Sequence, residues 1–203
     1  FINDGRLLPV MEEFYSIQGE GQNTGTASYF LRIGGCDVGC SWCDVKESWN
    51  ADIWPPIQTD EVIKRILQCP AKAVVVTGGE PLQYNLDYLC NELKKNNIRT
   101  FLETSGSFEL SGIWDWICLS PKKKSPPLQK IYTKSHELKV IIHEESDFLW
   151  AEKNAGMIKK PTLLLLQPEW SERKKIIPLI VEYILKNPQW KISLQSHKYM
   201  NIP

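Results

Sequence analysis

Apolar, β-rich runs alternate with helical periodicity along most of this chain, which begins its pattern with strand-like stretches at 11–16 and 28–33. The same reading predicts strands at 72–77, 99–104, 115–119, 137–142, 162–167 and 190–195, and helices at 60–69, 86–96, 147–155 and 172–187. Thr59, Asn85, Ser146 and Ser171 stand where N-caps belong. Gly156 is expected as a left-handed stop, and Pro178 should kink the last helix or delay its start. Segments 106–114 and 121–135 are rich in Gly, Ser, Pro and Lys and read as loops. Runs such as Ala73–Val76 and Leu163–Leu166 lack polar interruption, as strands do when helices cover both faces of a parallel sheet. Successive βα units with right-handed crossovers then predict a partial, abbreviated α/β barrel with a mostly parallel sheet. At 203 residues the chain is one domain, 1–203, and short of the ~250 residues of a full eight-fold barrel.

The turns at the strand ends locate a site. Gly78-Gly79-Glu80-Pro81 closes the third strand, Glu103-Thr104-Ser105-Gly106 the fourth, and Ser120-Pro121-Lys122 the fifth. Gln167-Pro168-Glu169 and Gln195-Ser196-His197-Lys198 end the last two. The carboxyl ends of parallel strands build active sites in α/β folds, so these turns and the loop after 28–33 point to one rim.

Composition narrows the class. Lys plus Arg equals Asp plus Glu at 24 each, leaving no electrostatic footprint for nucleic acid or an anionic membrane. Of six cysteines, Cys69, Cys90 and Cys118 are scattered and do not form a disulfide framework. Cys90 and Cys118 fall in helical and strand patterns, where a free thiol packs as a small hydrophobe. His136 and His143 read as ordinary loop and strand-end residues. Free thiols indicate a reducing compartment. Phe1 to Gly5 lacks the features of a signal peptide, and Leu163–Leu166 is too short to span a bilayer. The expectation is a cytoplasmic protein whose printed start is not its genetic one.

The remaining cysteines carry the chemistry. Cys36, Cys40 and Cys43 form C-x3-C-x2-C, with Trp42 before the last. Three thiolates on one loop fill three corners of a 4Fe–4S cluster and leave one iron open to a small molecule. Closed electron-transfer clusters and structural zinc each take four protein ligands. A zinc site completed from a distance by His197 or Cys69 is the alternative on spacing alone.

Cys36-x3-Cys40-x-Trp42-Cys43 together with Gly78-Gly79-Glu80-Pro81 resembles the radical S-adenosylmethionine (SAM) superfamily. The resemblance implies that the three cysteines hold the cluster and that SAM chelates its unique iron. It also implies that the Gly79-Glu80 strand end meets the methionine amine. Glu80 has a second reading, as a carboxylate starting the turn beside Pro81.

A narrower resemblance spans nearly the whole chain. Glu13-Phe14-Tyr15-Ser16-Ile17-Gln18-Gly19-Glu20-Gly21, the cysteine loop, Thr77-Gly78-Gly79-Glu80-Pro81, Gln195-Ser196-His197-Lys198 and Asn201-Ile202-Pro203 are similar to the 7-carboxy-7-deazaguanine synthase family. The resemblance implies conversion of 6-carboxy-5,6,7,8-tetrahydropterin to 7-carboxy-7-deazaguanine with loss of ammonia, SAM being regenerated. It places Trp42, Asp44, Gly79, Glu80, Ser120, Pro121, Lys122 and Gln167 around SAM. It places Ile17, Gln18, Gly19, Arg32, Thr77, Glu103, His197 and Pro203 at the substrate, Arg32 on its carboxylate and Pro203 through a terminal carboxylate. His197 reads equally as a ring filling space. A Mg2+ ion is implied too, but the family's usual threonine is here Val45, which has no side-chain oxygen. The loop continues Pro168-Glu169-Trp170 where the family often has Pro-Met-Asp, and Trp49 and Trp54 read as packing over the cluster. An electron donor such as flavodoxin or ferredoxin and a homodimer are implied, with no nucleic acid and no membrane. Two rivals remain: an activase that makes a glycyl radical on a partner protein, and a metal-binding module without catalysis.

Overall fold

The computed structural model describes residues 4–40, 43 and 46–203. Ten strands form two sheets. Leu7–Leu8 (β1) and Ile57–Gln58 (β4) make a small antiparallel pair. The main sheet contains Val10–Ile17 (β2), Ala27–Ile33 (β3), Ala73–Gly78 (β5), Arg99–Thr104 (β6), Trp116–Leu119 (β7), Glu137–Ile142 (β8), Leu163–Pro168 (β9) and Trp190–Ile192 (β10). Their order is β10-β9-β8-β7-β6-β5-β3-β2, with every pairing parallel except β2 with β3. Neighbours in sequence are neighbours in space, as successive βα units require.

The period of two along each strand divides the sheet into two faces. Leu31 and Ile33, Val74 and Val76, Leu102, Leu138, Val140 and Ile142 join one buried core. Helices supply the rest of that core: Val62 and Ile66 from Thr59–Gln68 (α1), Leu89 and Leu93 from Asp87–Lys95 (α2), Phe148 and Ala151 from Asp147–Ala155 (α4), and Ile176 and Ile180 from Arg173–Lys186 (α5). Short helical turns at Gln129–Tyr132 (α3) and Ser196–Met200 (α6) complete the set. On the other face Phe30, Ala73, Val75 and Phe101 form a small apolar cluster. Farther along the same face Arg32, Thr77, Glu103 and Lys139 line a cavity.

The sheet's outer strands, β2 and β10, are brought together by loops. Gly21 N donates to Ser193 Oγ (3.0 Å), Ser196 N to Gly19 O (2.9 Å) and Gln195 Nε2 to Glu20 Oε1 (2.8 Å). Among the described residues no ladder joins β2 to β10. The result is the expected abbreviated barrel, with its seam closed by side chains and turns.

Local expectations fared unevenly. Thr59 lies inside α1 and donates to Gly5 O at 2.7 Å instead of capping. Asn85 does serve the start of α2, accepting from Asp87 N at 2.9 Å. Ser146 makes no cap bond; the carboxylate of Asp147 instead accepts from His143 N and Glu144 N. Glu169, not Ser171, receives the N–H of Glu172 ahead of α5. Gly156 has φ −61°, so it is not a left-handed stop. Pro178 sits inside α5, which starts at Arg173 well ahead of it. The strand expected at 190–195 ends at Ile192, and 46–53 holds two 3-10 turns, Lys46–Trp49 and Ala51–Ile53. No helix among the described residues is long and apolar enough to cross a membrane.

Candidate active site

The cysteine loop leaves β3 through a tight backbone junction. Gly34 N donates to Pro9 O, Gly35 N to Ser48 O (2.6 Å) and Cys36 N to Trp49 O (3.2 Å). From the neighbouring strand, Gly79 N donates to Ile33 O and Glu80 N to Gly35 O. This close approach is why a glycine pair ends β5. A Cβ on Gly79 would lie 2.1 Å from Gly35 O and 2.8 Å from the Cβ of Cys36, and Gly78 has φ +136°. The resemblance implied that this strand end meets the methionine amine; the glycines first make room for the chain that presents Cys36.

Glu80 is buried and takes the structural option. Its Oε1 accepts from Leu82 N (3.1 Å) and Thr104 Oγ1 (2.5 Å), and its Oε2 from Ser105 N (2.8 Å) and Ser105 Oγ (2.5 Å). It therefore starts the turn at Pro81–Gln83 and ties the end of β5 to that of β6. Any contact with a methionine amine would share these filled acceptor positions.

Above the strand ends lies a cavity of about 290 Å³. Its wall includes Cys36, Cys40 and Cys43, and Gly79, Glu80, Ser120, Lys122 and Gln167. Ile17, Gln18, Gly19, Arg32, Thr77, Glu103, His197 and Pro203 also reach it. Pro121, expected beside Ser120, is buried but not on this wall. Trp42 and Asp44, like Val45, lie outside the described residues.

Register explains the substrate-side grouping. Arg32 on β3 is paired with Glu12 on β2 and with Thr77 on β5. Arg32 Nε donates to Glu12 Oε2 at 3.0 Å. Its terminal amino groups remain the natural donors for a second carboxylate. Gln18 is buried, accepts from Glu20 N at 3.1 Å and sits 3.5 Å from Glu103 through Nε2. Gly19 has no room for a side chain: a Cβ there would lie 2.2 Å from His197 Nδ1. Pro203 O accepts from Ser16 Oγ at 3.1 Å. Gln167 accepts from Ser193 Oγ at 2.8 Å, so this strand end also anchors the seam.

Sequence reading missed the charge network in the cavity floor. Lys139, 4% exposed, donates to Glu20 Oε2 (2.5 Å) and Glu103 Oε2 (2.9 Å). Desolvation opposes a charge on Lys139, but Cys118, Glu103, Glu20 and Glu137 together hold it protonated. For Glu20, desolvation pushes the pKa up and Lys139 more than reverses this, bringing it to about 2. Glu103 goes the other way: burial raises its pKa, with Lys139 only partly offsetting. Lys122 is lowered, chiefly by desolvation, and donates to Ser120 Oγ at 2.6 Å. A signal for Lys139 was present in Glu137-Leu138-Lys139-Val140, where alternation puts a lysine and a glutamate on one face of an otherwise apolar strand.

The donor set fits an iron–sulfur cluster better than a single zinc ion. Among the described residues, only Glu103, Cys118 and Glu137 bring three ligand atoms within 4.8 Å of one another. Lys139 already neutralises that set. The three loop thiols are not among the groups whose ligand atoms all lie within 4.8 Å of one another, whereas Zn–S bonds of about 2.3 Å set ligands of one zinc ion ~4 Å apart. Burial pushes the thiols of Cys36 and Cys40 up, as it does those of Cys90 and Cys118. A buried donor on the same wall, Trp49 Nε1, has no hydrogen-bond partner.

Relatives place the chain. The sequence model described as "Radical SAM superfamily" matches residues 31–117. A 7-carboxy-7-deazaguanine synthase of Flavobacterium psychrophilum is 53% identical over 100% of this chain and 96% of its own length. The enzyme of that name from Synechocystis sp. is 45% identical, covering 96% and 93% respectively. The crystal structure of QueE from Escherichia coli superposes with a TM-score of 0.85 at 27% identity, over 95% of this chain and 96% of that one. By this likeness in sequence and fold, the chain belongs to the 7-carboxy-7-deazaguanine synthase family of radical SAM enzymes.

Proposed function

We propose that this chain converts 6-carboxy-5,6,7,8-tetrahydropterin to 7-carboxy-7-deazaguanine, releasing ammonia, as a step towards 7-deazapurines such as queuosine. The observation that carries the reading is a single cavity whose wall joins the three-cysteine loop to Arg32, Thr77, Gln18 and Glu103. Cys36, Cys40 and Cys43 would hold a 4Fe–4S cluster, which with SAM would supply the one-electron chemistry that removes hydrogen from carbon.

The protein's own residues bind and orient. Arg32 grips the substrate carboxylate with a fork of parallel hydrogen bonds while Glu12 fixes its Nε. Glu103 accepts from the N–H groups of the aminopyrimidine ring, and Gln18 lies beside it. Lys139 donates to Glu103 Oε2 at 2.9 Å and partly offsets the desolvation that raises the pKa of this acceptor. Gly19 leaves room for His197, which with Pro203 completes the wall. Gly79, Ser120, Lys122 and Gln167 would border SAM. Mg2+ is left out of the proposal because Val45 offers it no oxygen; added Mg2+ should change turnover little. A low-potential carrier such as flavodoxin or ferredoxin provides the electron. A homodimer in the cytoplasm is the proposed working form, in keeping with the free thiols.

The test is to incubate reduced, anaerobically reconstituted protein with the carboxytetrahydropterin and SAM. Appearance of the deazaguanine acid and ammonia in equal amounts supports the reading. Formation of 5′-deoxyadenosine alone would favour the activase. A chain that binds zinc and ignores SAM would leave a non-catalytic module.

A further inference from the structure

Resting on the cluster proposed for the three-cysteine loop, we infer that the indole N–H of Trp49 donates a hydrogen bond to a cluster sulfur and raises the cluster's reduction potential. Two buried side-chain atoms among the described residues lack a hydrogen-bond partner: Trp49 Nε1 and Trp116 Nε1. Only the first belongs to a residue on the cavity wall. An indole nitrogen is a donor and never an acceptor, and a buried donor left unpaired is rare in folded proteins. Trp49 is also tied to the cluster loop through its backbone, since Cys36 N donates to Trp49 O at 3.2 Å. The preceding residue is fixed the same way, with Gly35 N donating to Ser48 O at 2.6 Å. The 3-10 turn Lys46–Trp49 is therefore held against the strand exit that presents Cys36. Cys36, Cys40 and Cys43, which would bring the cluster's sulfurs, stand on the same wall as Trp49.

Charge sets the direction of the effect. Reduction adds an electron to the cluster, and its sulfurs become better acceptors. A donor aimed at them then stabilises the reduced form more than the oxidised form, which raises the potential. The neighbouring Trp54 provides the control. Its Nε1 already donates to Glu47 O at 3.4 Å, and its ring packs on Gly34, where a Cβ would lie 2.5 Å from its Cδ1.

The experiment is an EPR-monitored redox titration of the reconstituted holoprotein without SAM, comparing wild type, Trp49→Phe and Trp54→Phe. The expected result is a midpoint shifted to more negative potential in Trp49→Phe at unchanged iron and sulfide content, with Trp54→Phe at the wild-type midpoint. A fully loaded Trp49→Phe protein with an unshifted midpoint overturns the inference. If Trp49→Phe does not load, 15N-indole tryptophan is introduced into a Trp42→Phe, Trp170→Phe background. Pulsed EPR of the reduced cluster then shows an indole nitrogen coupling, and its absence overturns the inference equally. A wild-type chain that takes up no iron defeats the cluster assignment itself, which the titration reports separately.

Discussion

The two faces of one sheet are built on opposite rules. The helix-covered face is almost wholly aliphatic: Leu31, Val74, Val76, Leu102, Leu138 and Val140 are all fully buried. The inner face of the sheet carries Arg32, Thr77, Glu103, Lys139 and Gln167, of which Lys139 and Gln167 are buried and the other three half-buried. Burial on the first face is favourable by itself, since each large aliphatic side chain contributes ~1.5–3 kcal/mol. Burial on the second must be compensated group by group, and the Glu20–Lys139–Glu103 chain does this. One face holds the fold together, and the other keeps charges where a polar substrate needs them.

Five substitutions separate the faces, beginning with the most severe. Cys40→Ala removes one corner of the cluster: turnover should fall below detection and iron content should collapse. Stability of the metal-free chain should move by no more than about 1 kcal/mol, read by chemical denaturation.

Next come Lys139→Met and Leu102→Ala, both expected to destabilise by several kcal/mol: about 3–5 for an orphaned buried ion pair and about 2–5 for an aliphatic cavity. Their pH dependence tells them apart. Glu20 has a folded pKa of about 2 against an ordinary 4.5, so its stabilisation is complete above pH 4.5 and is lost as pH falls towards 2. The deficit of Lys139→Met should therefore shrink over that window, because protonation relieves the carboxylates it abandons. The deficit of Leu102→Ala should stay constant. Parallel curves would mean that the charge network does not carry the inner face.

Arg32→Lys keeps the charge but loses the planar fork. A loss of about 10–100-fold in kcat/KM, mostly in KM, is expected from one charge-assisted hydrogen bond. Smallest is Ser16→Ala, which removes the bond to Pro203 O. About 1 kcal/mol, seen as a rise of roughly five-fold in KM, is the expected outcome.

Much of the architecture was visible in the residue pattern because parallel strands covered by helices leave unbroken apolar runs. Ala73–Val76 and Leu163–Leu166 fell in strands as expected. The cysteine loop and the strand-end turns were legible for a different reason: their chemistry needs specific residues at short spacing. What stayed hidden was set by partners distant in sequence. Thr59 looked like a cap until Gly5 O claimed its hydroxyl. Glu80 looked like a ligand contact, but Thr104 and Ser105 occupy it. Lys139 showed only as a charged position on one face of an apolar strand, and its partner Glu20 lies 119 residues away in the chain. The turn 46–53 gave no periodic signal, because 3-10 segments this short have too few residues to repeat.

The seam between β2 and β10 has a mechanical consequence. A barrel closed by a strand ladder can part only by breaking a row of cooperative backbone bonds. This one is latched by a few separate bonds, such as those from Gly21 to Ser193, Ser196 to Gly19, Gln195 to Glu20 and Ser16 to Pro203. Each latch can release alone, so this edge can loosen while the ladders of the central strands stay intact.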